Sequence, residues 1–181
     1  MASWREAGMN FARGLSVAGV FAVALLGQTR DVDGWGKIKW GMTLAAARQA
    51  YVIDRNEDNN IWTQLVAQPV DVGDLTMKVS IGARHGSDQV SRVRLWMNFG
   101  LGDSAPSASA KDFDTLKILL IRKYGPPVDG DTKTDGTDAV RTLLWVFPST
   151  SITLTLSQAP KGGGRIELDY LATDPKALDT L

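Results

Sequence analysis

Four stretches of this chain alternate apolar and polar residues with a period of two. Over 75–83, Leu75, Met77, Val79 and Ile81 alternate with Thr76, Lys78 and Ser80. Over 90–99, Val93, Leu95, Met97 and Phe99 alternate with Arg92, Arg94, Trp96 and Asn98. The runs 151–157 (Ile152, Leu154, Leu156 against Thr153, Thr155) and 164–171 (Ile166, Leu168, Tyr170 against Arg165, Glu167, Asp169) repeat the pattern. Successive strand side chains point to opposite faces, so each run predicts a strand with one buried and one wet face. Apolar-rich runs at 61–68 and 140–147 add two more strands.

The period changes twice. Leu44, Ala47 and Tyr51 fall on one helical face, and so do Phe113, Leu116, Leu120 and Tyr124, with Ile121 beside them. The spacing predicts helices over 44–51 and 110–124. Thr43 is placed to cap the first, and Gly41 lets the chain turn into it from Trp40. Gly125 ends the second, and Pro126 and Pro127 forbid its continuation. The polar stretches 27–36, 54–60, 102–110 and 129–138 read as linkers and loops.

The resulting order is helix, three strands, helix, three strands. Tyr51 and Tyr124 lie 73 residues apart, as do Val93 and Ile166, which points to a duplication. The expected fold class is α+β: two αβββ halves, 28–104 and 105–181, in one globular unit. Both helices would lie on one face of a largely antiparallel sheet.

Residues 1–27 stand apart. Arg5 and Arg13 precede about fourteen apolar or small residues, reaching about 21 Å as a helix against a ~30 Å hydrocarbon core. Small residues then offer cleavage sites after Ala24 or Gly27. This is the layout of a signal peptide. The alternative is a retained anchor touching the membrane through residues 9–27. Gly14, Ala18 and Ala22, at a spacing of four, would then pack against another membrane helix, with Trp4 at the interface.

The Gly41-Met42-Thr43 helix start and the Gly125-Pro126-Pro127 helix end resemble the small outer-membrane assembly lipoproteins of the SmpA/BamE type. The tandem helix-plus-sheet order over 38–171 is similar to that of β-lactamase-inhibitory proteins. Both resemblances imply a binding module, not an enzyme. Neither carries a functional residue onto this chain.

Composition narrows the function. With 44% hydrophobic and 22% charged residues, 181 residues can bury a sizeable core. Formal net charge is zero, so the basic excess of a nucleic-acid binder is missing. Cysteine is absent, which excludes disulfides, thiolate catalysis, cysteine-held metal and a lipid-modified cysteine. His85, the single histidine, sits in a predicted turn, and no nucleophile elbow, phosphate loop or metalloprotease motif occurs. Asp54, Asn56 and Asp58 begin like a calcium loop. Asn59 replaces its turn glycine, however, and Leu65 its bidentate glutamate. Asp129, Asp131, Asp135 and Asp138 form a second acidic stretch, interrupted by Lys133. The reading is therefore no cofactor and no metal.

The polar side of the sheet remains. Trp96 flanked by Arg92 and Arg94 has the composition of a protein-binding hot spot, and Lys78, Thr153 and Thr155 are expected to share its face. The sequence predicts an exported, non-catalytic protein-binding module of a bacterial envelope, periplasmic or secreted, whose partner is another envelope or membrane protein. One alternative is a structural subunit of a membrane complex, anchored facing the periplasm by its uncleaved N-terminal helix. The other is a hydrolase with an unrecognised carboxylate site.

Overall fold

The computed structural model describes residues 31–97, 107–135, 138–159 and 163–173. A two-residue hairpin, β1 (Gly34–Trp35) and β2 (Ile38–Lys39), leads into helix α1 (Leu44–Ala50). Four strands follow: β3 (Ile53–Asp58), β4 (Trp62–Val72), β5 (Leu75–Arg84) and β6 (Val90–Met97). Helix α2 (Ala110–Tyr124) opens the second half. Its strands are β7 (Asp129–Asp135), β8 (Asp138–Val146), β9 (Thr150–Gln158) and β10 (Gly164–Ala172).

The last eight strands form one antiparallel sheet in the order β3-β4-β5-β6-β10-β9-β8-β7. The halves therefore meet last strand to last strand, as a local two-fold relation requires. Leu168 faces Leu95 at the join, and Tyr170 faces Val93.

The α+β expectation of two αβββ halves is corrected by this topology. Strand makes up 58% of the described residues and helix 17%, so the protein is mostly β with a small helical part. Each half contributes four strands to this sheet, not three. The additional ones, β3 and β7, occupy the stretches read as polar loops at 54–60 and 129–138. Both are edge strands. An edge strand is held by backbone hydrogen bonds on one side and needs no apolar face, so it leaves no alternation in the sequence. Its charges also discourage pairing with another chain. Asp54, Glu57 and Asp58 with Arg55 line one edge; Asp129, Asp131 and Asp135 with Lys133 line the other. The linker 27–36 is corrected in part as well, since Gly34 and Trp35 pair with Lys39 and Ile38.

The core lies on one face of the sheet. Val79, Ile81, Val93, Leu95, Leu154 and Leu168 are each at most 1% exposed and join Ala47 of α1 and Phe113, Leu116 and Leu120 of α2 in a single cluster. The Thr43 hydroxyl caps α1 by accepting from Ala46 N at 3.2 Å. Ser109 and Asp112 cap α2 reciprocally. Gly41 adopts φ +77°, the left-handed conformation that the turn before α1 needs. Trp145 is fully buried, with its indole N–H donating to Gly125 O at 2.8 Å. Among the described residues, no helix is long and apolar enough to cross a membrane.

Candidate functional site: the outer face of the sheet

Strand alternation turns every second residue of β5, β6, β10 and β9 away from the core, and the register lines these residues up in rows. One row reads Lys78, Trp96, Glu167, Thr155; the next reads Ser80, Arg94, Asp169, Thr153; a third reads Gly82, Arg92, Leu171, Ser151. All six sequence-predicted residues thus stand on one face: Lys78, Arg92, Arg94, Trp96, Thr153 and Thr155. Both helices pack on the opposite, apolar face, and among the described residues no helix covers this one. Gly14, Ala18 and Ala22 lie outside the described residues.

The centre of the face is an ionic network across the join between the halves. Arg92 grips Asp169 with two nitrogens, its Nε standing 2.8 Å from Oδ1. Arg94 lies 3.7 Å from Glu167 and 3.8 Å from Asp169, and Arg165 contacts Glu167. The Arg92 and Asp169 side chains retain only 17% and 25% exposure. A bidentate pair so placed contributes about 1 kcal/mol or somewhat more, whereas the longer Arg94 contacts contribute less.

Two carboxylates serve three guanidiniums, and Arg84 adds a further positive charge. The centre of the face is therefore cationic, while the same rows end on Glu57 at one edge and on Asp129 and Asp131 at the other. Arg94 Nε and Arg165 Nε are buried without a hydrogen-bond partner. Neither guanidinium is fully satisfied by the two carboxylates.

Trp62 completes the face. It is 8% exposed and stands apart from the main core, beneath two guanidiniums: Arg92 lies 5.0 Å and Arg84 5.3 Å from its ring centre. Each stack of this kind contributes about 0.5–1 kcal/mol where solvent reaches it. The run 61–68 has no clean alternation, so its sequence does not say which way Trp62 points. The Arg92–Asp169 pair was equally hidden, because its members are 77 residues apart. The one available signal was Arg-x-Arg at 92–94 against Glu-x-Asp at 167–169.

Glu167 and Asp169 are engaged by arginines, and His85 is exposed in the turn after β5. The stretch 54–58 is strand and not loop. Asp54, Asn56 and Asp58 follow one another along β3, where alternate residues are roughly 6.6 Å apart, and Asn56 accepts from Arg48 at 2.7 Å. Among the described residues, no group of three or more His, Cys, Asp or Glu is placed to hold a metal ion.

Of the clefts beside the sheet, two have walls that bear on the site. One, of about 570 Å³, lies between the hairpin and the end of α2, with Asp31, Asp33, Lys39, Arg122 and Lys123 among its walls. The Lys39 ammonium, 2.5 Å from Asp33, holds that carboxyl below its ordinary pKa. Desolvation pushes the Asp31 carboxyl up, but hydrogen bonds from the Ser149 hydroxyl and amide and from Val32 N outweigh it and leave the pKa lowered. These carboxylates are occupied in local bonds. The other cleft opens beside the outer face, where β6 begins and β10 ends.

Comparison of the chain with known protein families, with curated proteins and with solved structures gives no match.

Proposed function

We propose that this protein is an exported, non-catalytic binding module of a bacterial cell envelope, and that the outer face of its sheet meets another envelope or membrane protein. The observation that carries the reading is the face itself. Arg92, Arg94 and Trp96 stand together on the central strands with excess positive charge and no helix over them among the described residues. Trp and Arg dominate binding energy at protein interfaces, and a cationic patch at the centre of the face favours an acidic partner there. The acidic edges make strand addition the less favoured mode of contact. Export rests on the signal-like pattern of residues 1–27.

A photo-cross-linking residue placed at Thr153 or Thr155 tests this in the native envelope. Both positions are expected to capture one defined protein, whereas Ile118, exposed on α2, captures none. Trp96→Ala is expected to weaken that contact by roughly 2 kcal/mol, about thirtyfold. Equal capture from all three positions, or none from the sheet, sinks the reading. Intact mass of the native protein settles the leader. Loss of about 24–27 residues means cleavage, and a full-length mass in the membrane fraction means the anchored subunit instead.

A further inference from the structure

The cleft at the end of the outer face has a composition of its own. Its volume is about 870 Å³, room for a side chain and its backbone, and Arg84 is the single charged residue in its walls. No carboxylate stands within ion-pair distance of Arg84 among the described residues; its guanidinium is held only by stacking on Trp62. The apolar part of the wall is Trp40, Val146 and Leu171. Trp40 is fixed by its indole N–H, which donates to Thr150 Oγ1 at 2.6 Å, and Val146 is 44% exposed. Ser91 and Ser151 add hydroxyls, and Ser91 Oγ is buried with no hydrogen-bond partner. An unmatched cation, the Ser151 hydroxyl and an adjoining apolar wall form one concave site.

Building on the protein-binding reading above, we infer that this groove takes the C-terminal residue of the partner chain. An aliphatic side chain would lie against Trp40, Val146 and Leu171, and the terminal carboxylate on Arg84. A chain end fits because it carries an apolar side chain and a full negative charge on adjacent atoms. Capture of a terminal carboxylate is an established mode of peptide recognition. An internal segment offers the side chain without the charge. The groove also shares Arg84, Ser151 and Leu171 with the outer face, so one partner can engage both.

The test is a titration of the full-length, 15N-labelled protein, followed by NMR. Three probes are used: an acetylated tripeptide ending in leucine with a free carboxylate, the same peptide as its C-terminal amide, and octanoate. The free acid is expected to bind about tenfold more tightly than the amide, as a charge-assisted hydrogen bond allows, and to shift the Trp40 indole N–H and the Ala172 amide. Arg84→Gln is expected to erase the preference and Arg84→Lys to keep part of it. Both variants should stay folded, with a small drop in melting temperature where Arg84→Gln gives up the stack on Trp62.

Equal binding of acid and amide overturns the inference. Octanoate binding as tightly as the peptide overturns it too, in favour of an aliphatic anion. Shifts confined to the cleft beside α2 place the site elsewhere and also overturn it. These failures leave the cross-links from Thr153 and Thr155 untouched. Loss of those cross-links while the acid still seats would break the outer-face reading alone.

Discussion

The two halves of the sheet are built alike and covered differently. In the second half a fifteen-residue helix, α2, does the covering, burying Phe113, Leu116 and Leu120. In the first, α1 has seven residues and buries only Ala47. The segment before it adds apolar cover where the halves join, with β1 lying against β10. Ile38 is fully buried, Trp35, Trp40 and Met42 pack against the core, and Trp35 stacks on Tyr51 with ring centres 5.8 Å apart. A seven-residue helix is well below the ~12–15 residues at which isolated helices become even marginal, so α1 depends on that packing. What the strands require is apolar area over them, and an irregular hairpin supplies it as well as a helix turn does.

This comparison can be broken first at its largest residues. Phe113→Ala removes the main side chain of the second cover and is expected to cost about 3–5 kcal/mol. Ile38→Ala should cost about 2–5 kcal/mol, on a par with Leu116→Ala. Urea unfolding of the three variants decides it. If Ile38→Ala costs less than about 1 kcal/mol, typical of a surface site, the hairpin is an ornament and the halves differ less than their packing implies.

The caps sharpen the same comparison at smaller scale. Ser109→Ala breaks a reciprocal cap on the long helix and Thr43→Ala a single one on the short helix. Each is expected to cost about 1 kcal/mol, Ser109→Ala the more, because the Ser109 hydroxyl also donates to the Asp112 carboxylate, which keeps only the bond from the backbone N–H of residue 109. A larger loss at Thr43 would show that the short helix leans on its cap instead of on the hairpin.

A further contrast is alkaline. Tyr170 of β10 is buried under α2 beside Tyr124, and burial, then Tyr124, push its phenol well above the ordinary 10.0. The unfolded chain therefore releases this proton first. The stabilisation is complete below about pH 10 and is lost as pH rises from there toward the folded-state value. Tyr170→Phe should flatten the alkaline limb of the stability profile. An unchanged limb would mean that the phenol ionises equally in both states.

The hairpin also explains where the sequence was legible. Strands β5, β6, β9 and β10 are half-buried, so alternation wrote their faces into the chain, and the six outer-face residues could be assigned to one side from it. Helix α2 announced itself through Phe113, Leu116 and Leu120 and its proline stop. The edge strands carried no such signal, because nothing packs on Asp129 or Glu57. The hairpin carried none because Trp35, Ile38 and Trp40 are too few and too irregularly spaced to form a period. Trp62 and Asp169 joined the candidate site through register, which a single strand cannot reveal.

The smallest effect concerns how the first cover is tied to the second half. Asp31 accepts from Ser149 Oγ at 2.5 Å and from Ser149 N at 3.0 Å, and Thr150 donates to Val32 O. The segment entering the hairpin is thus clasped to the β8–β9 turn, across the line that separates the halves. Because these hydrogen bonds favour the ionised carboxylate, the folded pKa lies below the unfolded value near 3.8. The contribution is therefore present above pH 3.8 and is lost as pH falls through the lower, folded value. Asp31→Asn should lower stability slightly at neutral pH and not at all once the parent's carboxyl is protonated. Parent and variant melting curves that draw together as pH falls from 3.8 to the lowest pH at which the parent still folds would bear this out. A constant gap down to that pH would show the clasp works through shape alone, and the covers of the two halves would then be joined by the Trp40–Thr150 bond without help from charge.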